Sequence, residues 1–175
     1  GQALARRARG FDMHVIYHNR SRVAPDVEAE LAAQYRPKAD LLREADHVVL
    51  VLPYTPENRH TVGAAELALM KRTATLTNIA RGGVVDDAAL AVALRERRIA
   101  AAGLDVFEGE PGVHPGLLSV PNVVLTPHIA SASETTRRAM ANLAADNLIA
   151  GLGVGPRAGQ PPNPINPQVL GKARS

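Results

Sequence analysis

A run of five apolar residues, VVLVL at 48–52, most constrains the fold of this chain. A strand with this sequence is apolar on both faces, which is typical of a strand buried on both sides in a parallel sheet. Segments of helical composition separate it from four other strand-like runs, and no hairpin dipeptides join them. The pattern predicts an α/β fold with a doubly wound parallel sheet. The five predicted strands cover 14–17, 46–52, 73–79, 100–107 and 123–126.

Helical patterns fill the intervals and both ends of the strand-bearing region. A helix is predicted over 2–9, another over about 26–34, and a last long helix after a capping box formed by Ser131 and Glu134. From Gly151 onward the sequence is rich in Gly and Pro, as in GQPPNPINPQVL, which is not expected to form regular structure. We therefore expect one domain over 1–152 and a tail over 153–175.

Composition excludes several classes of function. With 46% hydrophobic and 21% charged residues among 175, the chain has the composition of a globular protein. Two Phe, three Tyr and no Trp leave little for stacking on bases, and the Arg residues are scattered, so no nucleic-acid partner is expected. The chain lacks Cys and has no apolar run near the roughly 20 residues of a membrane span. We expect a cytoplasmic protein without membrane association.

Three chemically distinctive side chains each follow a predicted strand: Arg81, Glu110 and His128. The carboxyl ends of parallel strands meet at one edge of a sheet, where ligands bind. Reduction of a 2-keto acid needs these three residue types: a guanidinium to hold the carboxylate, an imidazolium to protonate the carbonyl oxygen, and a carboxylate to keep that imidazole charged. For any one of them alone, an ordinary loop or surface position is the better explanation.

The segments around these residues are NIARGGVVDDAAL, GLDVFEGEP and NVVLTPHIAS. Together they closely resemble the cofactor domain of the D-isomer-specific 2-hydroxyacid dehydrogenases, and the glyoxylate, hydroxypyruvate and 2-ketogluconate reductase branch is nearest. The resemblance implies a Rossmann-like domain over 1–152 and hydride transfer between NAD(P)H and a small 2-keto acid, giving the D-2-hydroxy acid. It also implies a homodimer for the full-length protein.

The same resemblance assigns the catalytic roles. Arg81 matches the arginine that clamps the substrate, His128 the acid/base histidine and Glu110 the glutamate that orients it. Glu108 competes for the last role. Glu110 is preferred because it directly precedes Pro111, where the family places the carboxylate.

Cofactor contacts are assigned by resemblance as well. Asp105 matches the acidic residue that holds the nicotinamide carboxamide, and Ile79 a main-chain contact on the nicotinamide side. Leu52 and Pro53 match the apolar pair beside the adenine, and Ala130 a further cofactor contact.

The glycine fingerprint of dinucleotide-binding domains, G-x-G-x-x-G, is mostly missing. Only its last glycine has a counterpart, Gly1. We therefore expect the first strand and the pyrophosphate turn to lie upstream of this sequence, so that the sheet lacks a central strand. Activity is expected of the full-length protein rather than of this chain alone.

The residues after the first predicted strand indicate the cofactor. Asn19 stands where an acidic residue would bind the ribose hydroxyls of NAD, and Arg20, Ser21 and Arg22 follow it. A neutral Asn removes the charge that would repel a 2′-phosphate, and guanidinium groups bind phosphate well. NADPH is favoured over NADH. No histidine spacing typical of a metal site occurs, so no metal is expected.

Two alternatives from the same resemblance stay open. Transcriptional corepressors share this fold and such residues but act by binding partners, and keto-acid-dependent oxidation of NADPH would separate the two functions. Formate dehydrogenases carry Gln where Glu110 stands, which disfavours formate as substrate.

Overall fold

A computed structural model describes residues 1–170 of the chain. The chain divides into two units, Gly1–His128 and a second unit that begins at Ile129. The predicted division at 152 rests on the Gly- and Pro-rich composition of the tail and stays a prediction. Residues 171–175 of the predicted tail lie outside the described residues.

The first unit alternates helices and strands, as the sequence predicts. It also contains a short 3₁₀ helix, Pro56–Asn58. The helices are α1 (Gln2–Arg9), α2 (Pro25–Leu31), α3 (Lys38–Glu44), α4 (Ala64–Leu69), α5 (Asp87–Arg95) and α6 (Pro115–Leu118), and the strands are β1 (Val15–Tyr17), β2 (Ala33–Tyr35), β3 (His47–Leu50), β4 (Thr75–Asn78), β5 (Ala101–Leu104) and β6 (Val123–Leu125).

Four of these strands form a parallel sheet in the order β3-β4-β5-β6, which confirms the predicted parallel α/β architecture. Val48 pairs with Leu76, and Leu76 pairs with Ala102. All three are buried in the main hydrophobic core, because helices cover the sheet. The strands share one direction, so their carboxyl ends lie along one edge.

The VVLVL run is a buried strand only in its first half. Val48 and Leu50 are buried, but β3 ends at Leu50. Val51 and Leu52, which the sequence places in the strand, follow it and line a cleft described below. The apolar run therefore contributes both to the core and to the wall of this cleft.

A second, two-stranded parallel sheet pairs β1 with β2. The sequence does not predict β2, and the predicted extension of the preceding helix to residue 34 is wrong. The helix ends at Leu31 because Ala32 takes a left-handed conformation, with φ 48°, which turns the chain into the strand. Among the described residues the strands thus form two separate parallel sheets, six strands in all rather than the five predicted.

The second unit is built on α7 (Glu134–Gly151). Its N-cap is Ser133, which accepts a hydrogen bond from the Thr136 N–H at 3.2 Å, so the predicted cap at Ser131 is two residues too early. A short 3₁₀ helix, Pro167–Val169, interrupts the otherwise irregular Gly- and Pro-rich segment. No helix within residues 1–170 is both long enough and apolar enough to cross a membrane.

Candidate active site

The loop that carries Arg81 is held by a buried amide. Asn78, the last residue of β4, is 1% exposed. Its Oδ1 accepts the Ala80 N–H at 3.0 Å, and its Nδ2 donates to the Arg81 carbonyl at 3.2 Å. Burying an amide is favourable only when its hydrogen bonds are satisfied, so this side chain fixes the turn that projects Arg81 from the sheet edge. The Arg81 side chain itself is exposed.

Glu110 and His128 form a hydrogen-bonded pair at the same edge. The His128 Nδ1 lies 2.8 Å from Glu110 Oε2, and Glu110 Oε1 accepts the Phe107 N–H at 2.9 Å. The hydrogen bond from His128 holds the pKa of the Glu110 carboxyl below its usual value, so the carboxylate is the form present near neutral pH. With Nδ1 facing Glu110, Nε2 is the ring nitrogen left to meet a substrate.

Glu108, the competing glutamate, has different partners. Its Oε2 lies 2.8 Å from His60 Nε2, and its Oε1 accepts a hydrogen bond from Arg59 Nη2 at 2.9 Å. The two glutamates of the EGE segment therefore serve different histidines. Geometry agrees with the preference for Glu110 as the partner of His128.

The Arg81 loop and the Glu110 turn touch at Gly82. A Cβ atom on Gly82 would lie 1.8 Å from the Phe107 carbonyl oxygen, far inside van der Waals contact. Only glycine permits this approach. The close contact sets the distance between the loop that bears Arg81 and the turn that bears Glu110.

These residues line one open cleft of about 830 Å³. Six of the residues predicted for the site are among its walls, so the structure brings the proposed adenine-side, nicotinamide-side and catalytic residues to one surface. The lining consists of Val51, Leu52, Pro53, Tyr54, Ile79, Ala80, Arg81, Gly82, Gly83, Phe107, Glu108, Gly109, Glu110 and His128.

Asp105 lies next to the cleft but not on its walls. It follows β5 directly, is 5% exposed and accepts a hydrogen bond from Thr126 Oγ1 at 2.6 Å. A buried carboxylate at the end of a central strand suits a polar contact to a ligand that enters the cleft. Ala130 belongs to the second unit.

The segment predicted to bind the 2′-phosphate, residues 19–22 after β1, is exposed, and we call it the β1 edge segment. Arg22 is already engaged, since its Nε donates to Glu28 Oε1 at 2.7 Å and its Nη2 to Glu28 Oε2 at 2.6 Å. Tyr17 Oη donates to Glu28 as well. The Arg22 hydrogen bonds lower the pKa of Glu28 to about 2, so this carboxylate stays charged.

Arg20 and Gly1 complete the nucleotide-side predictions. Arg20 lies near Glu57 of the loop after β3 and contributes, after the larger effect of a Thr55 hydrogen bond, to lowering the pKa of Glu57. Gly1 precedes α1 and accepts the Ala5 N–H at 3.0 Å. A Cβ on Gly1 would meet nothing within 4 Å, so packing does not require glycine there.

Sequence reasoning missed several residues that shape the site. Asn78 could have been found, because an amide side chain stands just before the end of an otherwise strand-like run, TATLTNI. Tyr54 contributes to the cleft and packs on Gly83, where a Cβ would lie 3.0 Å from its ring. His60 pairs with a residue 48 positions away, and no local pattern reports such a contact.

Comparison with known proteins supports the same interpretation. Residues 1–130 match the family model described as D-isomer specific 2-hydroxyacid dehydrogenase, NAD binding domain. The chain is 53% identical over 171 residues to a glyoxylate reductase from Thermococcus onnurineus, a match that covers 97% of this chain and 49% of the relative. The chain thus spans about half the length of the curated relatives that it matches.

Solved structures agree in fold. A glyoxylate reductase from Paecilomyes thermophila superimposes with a TM-score of 0.81 at 41% identity, covering 87% of this chain and 46% of that one. An NADPH-dependent glyoxylate/hydroxypyruvate reductase from Sinorhizobium meliloti, solved with NADP and malonate, gives 0.81 at 41% identity and covers 89% of this chain and 47% of that one. These matches confirm the resemblance inferred from the three motifs. The chain belongs to the D-isomer-specific 2-hydroxyacid dehydrogenases, through the NAD-binding domain of that family.

Proposed function

We propose that this chain is the cofactor-binding and acid–base half of an NAD(P)H-dependent reductase that converts a small 2-keto acid into the D-2-hydroxy acid. The observation that carries the proposal is the 2.8 Å contact between His128 Nδ1 and Glu110 Oε2 in a cleft that Arg81 also lines. Relatives and neighbours described as glyoxylate or glyoxylate/hydroxypyruvate reductases support a substrate of that size.

Each of the three side chains has one task in this reaction. The Arg81 guanidinium binds the substrate carboxylate, with two parallel N–H donors when the pair is bidentate. His128 donates the proton on Nε2 to the carbonyl oxygen, which leaves a neutral imidazole. Glu110 holds the ring through Nδ1 and stabilises the imidazolium before the transfer. A nicotinamide cofactor bound in the cleft would supply the hydride that the carbonyl carbon gains.

The cleft walls fit a dinucleotide cofactor. Leu52 and Pro53 offer an apolar surface for the adenine, and Ile79, which also lines the cleft, offers its main chain on the nicotinamide side. Asp105 supplies a carboxylate for the carboxamide. Apolar walls with a few placed polar groups are the usual composition of cofactor sites. Ala130 is retained as a proposed cofactor contact.

We assign the preference for NADPH mainly to Arg20. Arg22 donates hydrogen bonds from Nε and Nη2 to Glu28. The negative charge of Glu28 also disfavours the binding of a phosphate beside it. Arg20, with Asn19 and Ser21 beside it, is exposed next to the loop that continues into the cleft. The 2′-phosphate therefore gains more from Arg20 than from Arg22. Homodimer formation and a cytoplasmic location stay predictions.

A chimaeric enzyme tests the function. In it, this chain replaces the matching half of the Thermococcus onnurineus relative, and we call this protein the chimaera. Oxidation of NADPH by the folded chimaera is expected to depend on added glyoxylate or hydroxypyruvate. A chimaera that binds NADPH but oxidises it no faster with either keto acid would refute the proposal and favour the corepressor-like alternative.

A further inference from the structure

One histidine outside the proposed reaction lies between the two segments that carry the catalytic side chains. The backbone around His60 runs beside the residues that follow Arg81. The His60 N–H donates to the Gly83 carbonyl at 2.8 Å, and the Val62 N–H to the Val84 carbonyl at 3.1 Å. His60 has φ 52°, in the left-handed region that few non-glycine residues adopt. Its place relative to the Arg81 loop is thus fixed by the main chain.

The side chain of His60 reaches the other segment. Its Nε2 lies 2.8 Å from Glu108 Oε2, and its Nδ1 lies 3.7 Å from Asp86 Oδ2. Arg59, the preceding residue, donates to the second oxygen of Glu108 at 2.9 Å. His60 and Glu108 are only partly exposed, so the contact is less weakened by water than a pair on the open surface.

The backbone of Glu108 is tied down as well. Its N–H donates to Asp87 Oδ2 at 3.0 Å. Asp87 is 4% exposed, and burial raises the pKa of its carboxyl. Both the main chain and the side chain of Glu108 therefore connect the turn to residues at the start of α5 and to His60.

Glu110, in contrast, is held by its own turn and by His128, which follows β6. One of its oxygens accepts the Phe107 N–H and the other meets His128. Neither contact ties the turn to the Arg81 loop. The contacts of Glu108 and the close approach at Gly82 therefore help to fix the position of Glu110 relative to that loop, together with the Asp105 N–H, which donates to the Asn78 carbonyl at 3.0 Å.

We infer that His60 and Glu108 are positioning residues, which hold the 107–110 turn against the Arg81 loop so that Glu110 meets His128. The inference deepens the proposed function and rests on it for its catalytic meaning. Its structural content can be tested in the 175-residue chain without any ligand.

The test compares Glu108→Ala with Glu108→Gln by NMR in the full chain. Glu108→Ala removes the acceptor and is expected to raise the pKa of the Glu110 carboxyl, because the contact with His128 loosens. It should also speed exchange of the Phe107 amide hydrogen on the order of tenfold. Glu108→Gln keeps an oxygen acceptor and should change both quantities much less.

If Glu108 acted on Glu110 only through its charge, the Glu110 pKa would change in the opposite direction. Each Glu108 variant removes one negative charge, and this alone would lower the pKa of Glu110 in both variants. His60→Ala and His60→Gln form a second pair, since the amide of Gln can still donate to Glu108. The matched control is Glu96→Ala, which breaks an exposed ion pair with Arg98 and should change neither readout.

The inference is overturned if Glu108→Ala and His60→Ala leave the Glu110 pKa and the Phe107 exchange rate as in the wild type. It is also overturned if each variant and its conservative counterpart behave alike. Failure of the proposed function is recognised separately, because then the chimaera would oxidise NADPH no faster with glyoxylate or hydroxypyruvate, whatever these variants do to the Glu110 pKa.

Discussion

Two regions of the first unit were predicted to bind the ligand because polar residues follow a strand in each. Their side chains have different partners in the structure. At the ends of β4, β5 and β6, Glu110 and His128 contact each other, and Arg81 lines the same cleft. In the β1 edge segment, Arg22 is instead paired with Glu28, six residues away on α2. The type of residue that follows a strand indicates where a ligand site lies. Whether an arginine there can bind an anionic ligand depends on whether a nearby carboxylate already pairs with it.

The largest expected effect is a loss of turnover when His128, in the catalytic region, is replaced. His128→Ala in the chimaera should lower the turnover number for glyoxylate about 10²- to 10⁴-fold, because the proton donor is lost. His14→Ala removes an exposed histidine and serves as the control. Steady-state rates with saturating NADPH measure the effect. A turnover number within about threefold of the unsubstituted chimaera would remove His128 from the reaction.

The next prediction concerns a steric change between the two segments of the catalytic region. Gly82→Ala would place a Cβ 1.8 Å from the Phe107 carbonyl oxygen, so the 107–110 turn must move away from the Arg81 loop. The free energy of unfolding in urea should fall by about 1–3 kcal/mol. Gly1→Ala, where the new Cβ meets nothing within 4 Å, should leave it unchanged. Equal unfolding free energies for Gly82→Ala and the wild type would mean that the contact is not fixed.

A smaller effect sharpens the account of the β1 edge segment. Arg20→Ala should weaken NADPH binding by the chimaera about tenfold and spare NADH, while Arg22→Ala should weaken NADPH binding less than about threefold. Glu28→Gln should tighten NADPH binding only when Arg22 is present, because it frees that guanidinium. Dissociation constants from cofactor fluorescence, combined in a double-mutant cycle, measure this coupling. Equal losses from Arg20→Ala and Arg22→Ala would show that Glu28 does not restrain Arg22.

The sequence was sufficient to predict the parallel α/β fold and the edge at which Arg81, Glu110 and His128 meet. Both depend on local patterns: apolar runs, strand ends and three motifs. It could not predict β2, whose three residues follow a helix that only a left-handed Ala32 ends. Nor could it predict the Arg22–Glu28 and His60–Glu108 contacts, because side-chain pairing depends on tertiary packing.

The carboxyl titration of Glu110 tests the central claim, a catalytic pair assembled before any ligand binds. Since His128 lowers the pKa of folded Glu110, their contact stabilises the protein above the ordinary glutamate pKa and is lost as pH falls through the lowered one. Carbon-13 NMR of the 175-residue chain should give a Glu110 pKa below that of an unperturbed glutamate. His128→Ala should raise this pKa, because the hydrogen bond that lowers it most is lost. The same Glu110 pKa in both proteins would contradict the account.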